Sequence, residues 1–207
     1  MLNAIQGPAS IRRTQAGTSM IEVLISIVIV VLGLLGLAGL QSRAQLAEAE
    51  SFQRAQAIVL LQDMVDRINS NRKNALSYET PGVGTGGAQG NCAALNGAAL
   101  DLCEWHNALL GASESAGGLK VGAMIGARGC VEAIDNTMPF QFLVSVVWQG
   151  INPTVTPGTA CGAGQYGDDK TRRALTSTIL IGCLQNNTAT GTCITTAAAT
   201  PGPAWSP

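Results

Sequence analysis

One carboxylate, one glycine and six cysteines carry most of the chemistry this sequence offers. The carboxylate is Glu22. It is the only charged residue from Thr18 to Leu40, a run otherwise built from Ile, Val, Leu, Ala, Gly, Met and three small hydroxyl side chains. A carboxylate placed in hydrocarbon costs about 2.5–3.5 kcal/mol on insertion scales, so it calls for a cation to offset it. Gly17 suggests where that cation comes from. A cut after Gly17 leaves a free α-amine on Thr18, four residues before Glu22. In a bundle of such helices, one chain's amine can meet another chain's carboxylate.

The cysteines are Cys92, Cys103, Cys130, Cys161, Cys183 and Cys193, all after the apolar run. None has CxxC spacing, and the chain has a single histidine, which argues against a zinc centre. An even set on one side of an apolar span fits disulfides in an oxidising compartment better than free buried thiols. Spacing suggests Cys92 with Cys103 and Cys183 with Cys193 as local pairs, which leaves Cys130 with Cys161; six cysteines allow other connectivities.

Two further groups invite functional readings and lack the company those readings need. His106 stands beside Trp105, with no nucleophile motif and no paired carboxylate, so a structural histidine is expected and no catalytic residue is assigned. Asp168 and Asp169 follow Gly167, and two carboxylates are too few for a calcium site. No metal and no cofactor are expected.

The elements that position these groups follow from periodicity. From Thr18 to Leu40 a helix would be roughly 35 Å long, enough to cross a bilayer core of about 30 Å. It has no charged face, which excludes a water-exposed helix. Residues 41–75 contain no Gly or Pro. Ala44, Ala47, Ala55, Ile58, Leu61, Val65 and Ile68 recur there at helical spacing, and Glu50 and Arg54 stand as an i, i+4 pair. One helix over 19–74 is predicted, roughly 80 Å long, its second half carrying a folded domain. Arg67, Arg72 and Lys73 suit its C-terminal dipole. Gly33, Gly36 and Gly39, three apart, read as close-packing points between helices or as a segment able to unwind.

Residues 80–127 are Gly- and Ala-rich, with a short helix predicted over Leu100–Leu110. Strands are predicted at 129–134, 140–149 and 175–183. In the middle one, Phe140, Phe142, Val144, Val146 and Trp148 alternate with the opposite face, Pro139 opening and Gly150 closing the strand. The fold expected is α+β: a long N-terminal helix packed by its second half on a small antiparallel sheet with one apolar face. From about residue 186 the chain is Thr, Ala, Gly, Pro and Asn, and reads as a mobile tail.

Gly17 before a new N-terminus, Glu22 at the fifth position after it, and Ile21-Glu22-Val23-Leu24-Ile25 resemble the class III signal of type IV pilins and type II secretion pseudopilins. Gly33-Leu-Leu-Gly36-Leu-Ala-Gly39-Leu-Gln41 and Asp63-Met-Val-Asp66-Arg67-Ile-Asn-Ser-Asn71-Arg72 are similar to minor pilins of the type IV pilus modification protein PilV family. Thr18 stands where Phe or Met is usual, and Gly39 where major pilins carry a helix-kinking proline. The resemblance implies a type IV pilin-like fold and a cytoplasmic leader, residues 1–17, removed by a prepilin peptidase. It implies N-methylation at Thr18 and an assembly contact at Glu22. It divides the chain into a transmembrane and assembly half of the helix (18–40), an amphipathic half (41–75) and a periplasmic domain (76–207).

Charge agrees with such a subunit. Removing residues 1–17 takes away Arg12 and Arg13 and leaves 10 basic and 13 acidic side chains, net −3. With no basic stripe, nucleic acid is not an expected partner. Arg12 and Arg13 before the apolar run would hold that end in the cytoplasm; as a twin-arginine export signal they lack the rest of the motif and a cut site. The function the resemblance implies is a minor pilin, non-enzymatic, first in the bacterial inner membrane and then in the pilus fibre or at its tip. Its partners would be other minor pilins, the major pilin, the prepilin peptidase and inner-membrane lipid. The alternatives are a minor pseudopilin of type II secretion and a tip adhesin using the loops around Cys92, Cys103 and Cys161.

Overall fold

The structure, a computed structural model, describes residues 17, 19–84, 90–111, 115–116, 119–120, 124–135 and 140–182. By compactness the chain forms two units, residues 1–45 and 46–207. Helix α1, Met20–Ser70, runs through both. In the first unit its apolar residues are exposed from Met20 to Leu40. Glu22 lies in the first turn, its N–H donating to the carbonyl of Ser19 at 2.9 Å.

The second unit begins with the rest of α1. A 3-10 turn, Arg72–Tyr78, leads to strand β1, Thr80–Gly84, and helix α2, Gly97–Leu109. A two-residue hairpin, β2 (Ser115–Ala116) and β3 (Leu119–Lys120), precedes β4 (Arg128–Asp135), β5 (Phe140–Gln149) and β6 (Arg172–Ile181). The main sheet is antiparallel, in the order β1-β4-β5-β6. Register runs Cys130 to Ser145 between β4 and β5, and Val146 to Leu175 between β5 and β6.

The core confirms the expected packing and shifts its phase. Phe140, Phe142, Val144, Val146 and Trp148 are all buried on one sheet face, with Val131, Ile179 and Ile181 beside them. The helix stripe sharing that core is Ala57, Leu61, Met64, Val65 and Ile68. Ala44, Ala47, Ala55 and Ile58, placed by periodicity on the packed stripe, are exposed instead. Spacing fixes which residues share a helix side; where the sheet meets the helix fixes which side is covered.

Four further expectations change. The helix stops at Ser70, so Arg72 and Lys73 lie in the 3-10 turn beyond it. Residues 80–84, in the Gly- and Ala-rich stretch where no strand is predicted, form edge strand β1: its Pro81, Gly82 and Gly84 hide a strand from propensity, but an edge position tolerates them. Glu50 forms its ion pair with Arg173 of β6, at 3.2 Å, whereas the sequence pointed to Arg54. The sheet's second face is also partly covered: Cys130, Val147, Cys161 and Tyr166 make a smaller buried cluster there. Pro139, Cys183, Cys193 and the tail lie outside the described residues.

Candidate functional site: the apolar helix and the braced domain

Two features of this chain can carry function, and they belong to different units. The first is the stretch Met20–Leu40, the single described helix segment long and apolar enough to cross a membrane. Its β-branched and leucine side chains bury nothing within the unit. Surface of that kind is stable only in lipid or against other apolar helices. Glu22 is exposed at its start, with Ser26 Oγ donating to the Glu22 carbonyl at 2.7 Å. A Cβ added at Gly33, Gly36 or Gly39 would meet nothing within 4 Å. Gly17 is exposed, and Thr18 lies outside the described residues.

The second feature is the domain built on α1 from Leu46 onward. Its side chains act as braces. Trp105, fully buried on α2, donates its indole N–H to the Leu60 carbonyl of α1 at 2.9 Å. Its ring lies over Gly129 of β4, so closely that a Cβ there would fall 2.1 Å from Cη2. One residue on, buried His106 accepts at Nδ1 from the Gly84 N–H, 2.9 Å away. Gly84 has φ +116° and would set a Cβ 2.4 Å from the Ala127 carbonyl, so only glycine suits this crossing of β1 and β4. His106 therefore ties α2 to β1, a structural role.

Charge clusters hold the rest. Arg67 bridges Asp63 (3.0 Å), Asp101 (3.0 Å) and Glu104 (2.6 Å), joining α1 to α2. Burial works to lower its pKa, but Glu104, Asp63 and Asp101 together raise it. Tyr78 donates its hydroxyl to Asp101 and accepts from Asn71. Burial first, then the Asp101 bond, raises its pKa above the usual phenol value.

At the other side of the sheet, buried Arg172 of β6 binds Asp169 through two nitrogens, at 2.7 and 2.8 Å. It also donates to the carbonyls of Thr159, Cys161 and Pro157. Arg172 holds the Asp169 carboxyl below its ordinary pKa. Asp168 caps a 3-10 turn by accepting from the Lys170 N–H. Both carboxylates of the weighed calcium site are thus engaged within the loop. The connection 151–171 is pinned across the sheet by Tyr166, whose hydroxyl donates to the Gly126 carbonyl at 2.7 Å.

Cys92 bonds Cys103, linking the segment before α2 to α2 itself, and Cys130 bonds Cys161, tying β4 to the long connection. No cysteine is free among the described residues. Arg67 with Asp63 and Arg172 with Asp169 are local pairs that spacing could have signalled; the links from Arg67 to Asp101 and Glu104, from Arg172 to the Thr159, Cys161 and Pro157 carbonyls, and from Trp105 to Leu60 carry no such signal and arise only through the fold. Among the described residues, no group of acidic, His or Cys side chains could hold a metal.

The match to known proteins covers the joint of this architecture. Residues 39–102, from the middle of α1 into α2, match the family model described as Tt1218-like, type IV pilin Tt1218. No curated protein and no solved structure matches the chain. With a long N-terminal helix on a small four-stranded antiparallel sheet, the match over these residues supports a type IV pilin-like fold and a pilin-like structural subunit, and the apolar stretch of α1 is consistent with membrane anchoring.

Proposed function

We propose that this protein is a minor pilin of the PilV type, a subunit that primes or caps a type IV pilus with other minor pilins. The observation that carries the proposal is the exposed apolar stretch Met20–Leu40 with one acid, Glu22, in its first turn. A lone carboxylate there has no use in one chain's fold. It has a use in assembly, where a neighbour's α-amine offsets its charge. In this reading residues 1–17 are a class III leader held in the cytoplasm by Arg12 and Arg13. The prepilin peptidase cuts after Gly17 and methylates Thr18. The helix then sits in the inner membrane, with residues 76–207 in the periplasm, until extraction into the fibre moves it from lipid to other helices. Gly33, Gly36 and Gly39 let neighbouring backbones approach closely.

Two measurements test this. Mass spectrometry of the mature chain should find its N-terminus at Thr18; a mature chain retaining Arg13 sinks the proposal. Glu22→Ala should leave cleavage and insertion intact, because Gly17 and the apolar run are unchanged, and should abolish pull-down of partner pilins. Glu22→Gln should fall between, keeping hydrogen bonding without charge. Wild-type assembly by Glu22→Ala protein would remove the carboxylate from the mechanism.

A further inference from the structure

The part of α1 that carries the domain has a second organised face. Glu48, Phe52, Ala55, Val59, Gln62 and Asp66 recur at spacings of four and three, and all six are exposed. Phe52 is 55% and Val59 67% exposed. The residues that pack on the sheet, Ala57 to Ile68, lie on the opposite side of the same turns. A four-three repeat with apolar side chains at its centre is the pattern of a helix that receives another helix.

Charge identifies the occupant. The stripe is apolar in the middle, acidic at both ends, and holds no Lys or Arg. Of the nearby cations, Arg67 serves Asp63, Asp101 and Glu104, and Arg54 stands off the stripe, lining a groove with Glu50 and Arg173. Two copies paired in parallel and in register would set Glu48 against Glu48 and Asp66 against Asp66. Two copies paired antiparallel about residue 57 would set Glu48 against Asp66. Both symmetric self-pairings oppose like charges, which disfavours them.

We propose that this stripe docks a helix of a different subunit, one with an apolar centre bracketed by Lys or Arg. The inference rests on the reading of the chain as an assembly subunit and adds which neighbour it selects. Glu48 and Asp66 act as selectors that admit a basic partner and reject a second copy.

The test places the photo-reactive residue p-benzoylphenylalanine at Phe52, and separately at Leu35, in the full-length chain in its native membranes. Cross-linked peptides are then sequenced. The Phe52 probe should join a helical segment of another protein that carries Lys or Arg within about two turns of the attachment point. Adding Glu48→Lys and Asp66→Lys, both at exposed positions, should cut that yield about tenfold, with the Cys92–Cys103 and Cys130–Cys161 bonds still formed. A Phe52 cross-link to a second copy, to an acidic helix or to lipid alone overturns the proposal, as does unchanged yield in the charge-reversed chain. The Leu35 probe separates the two readings. Subunit cross-links from Leu35 without the expected ones from Phe52 leave assembly standing and refute the selective stripe. No subunit cross-link from either refutes assembly as well.

Discussion

Gly129→Ala should unfold the domain at much lower denaturant, although it adds one methyl group. The new Cβ would lie 2.1 Å from Cη2 of Trp105, and 2.5 and 2.6 Å from Cζ3 and Cζ2. Carbon atoms separated comfortably need about 3.5–4 Å, so the indole or β4 must move by more than an ångström. The indole is not free to move, because its N–H is bonded to the Leu60 carbonyl at 2.9 Å. Overpacking alone costs about 1–3 kcal/mol, and a buried bond left unmade adds about 1–3 kcal/mol. Restricting the unfolded chain returns about 0.4–1 kcal/mol. The net expectation is a loss of about 1–5 kcal/mol, a large part of a typical domain's stability. The measurement is pulse proteolysis across a urea series on the detergent-solubilised full chain, which needs no tryptophan signal. Repeating it in a Trp105→Ala background completes a double-mutant cycle. With the ring gone, Gly129→Ala should cost close to nothing, giving a coupling of about 1 kcal/mol or more. If Gly129→Ala unfolds at the wild-type midpoint, or is equally damaging without Trp105, the α2–β4 contact does not constrain the domain as described.

The two disulfides should differ in weight. Cys130–Cys161 closes 31 residues and Cys92–Cys103 closes 11. Loop-closure entropy then assigns about 3.7 kcal/mol to the first and about 2.8 kcal/mol to the second. The double alanine variant of Cys130 and Cys161 should therefore shift the urea midpoint further than that of Cys92 and Cys103; the reverse order would refute the loop-length account. Tyr78 predicts an alkaline limit. Its folded pKa is raised from the model-compound value of 10.0, through burial and then Asp101. The unfolded chain therefore releases this proton first, and the tyrosine's contribution is complete below about pH 10 and lost as pH rises above it. Tyr78→Phe should flatten that alkaline decline in a pH series of unfolding midpoints; an unchanged slope would assign the decline to other groups.

The apolar run Thr18–Leu40 and the alternation from Phe140 to Trp148 were legible because each encodes its environment in local spacing. A span without charges has few destinations, and a period of two places five side chains on one sheet face whatever the rest of the chain does. Glu22 stands out in that run because a charge in hydrocarbon is costly enough to demand an explanation; its assembly contact and the cut after Gly17 belong to the proposal above. What spacing does not encode is which surface covers which. Ala55 and Ile58 fit the packed stripe by period, yet the sheet meets α1 one side over, at Ala57 and Met64. Strand β1 forms because β4 offers it hydrogen bonds across the Gly84 crossing, against the propensity of Pro81 and Gly82. Arg172 is buried because three carbonyls and Asp169 surround it after the long connection folds back over Cys130. Asp169 is three residues away, but the carbonyls of Thr159, Cys161 and Pro157 come from the far end of that connection, and only its folding back brings them within hydrogen-bonding distance.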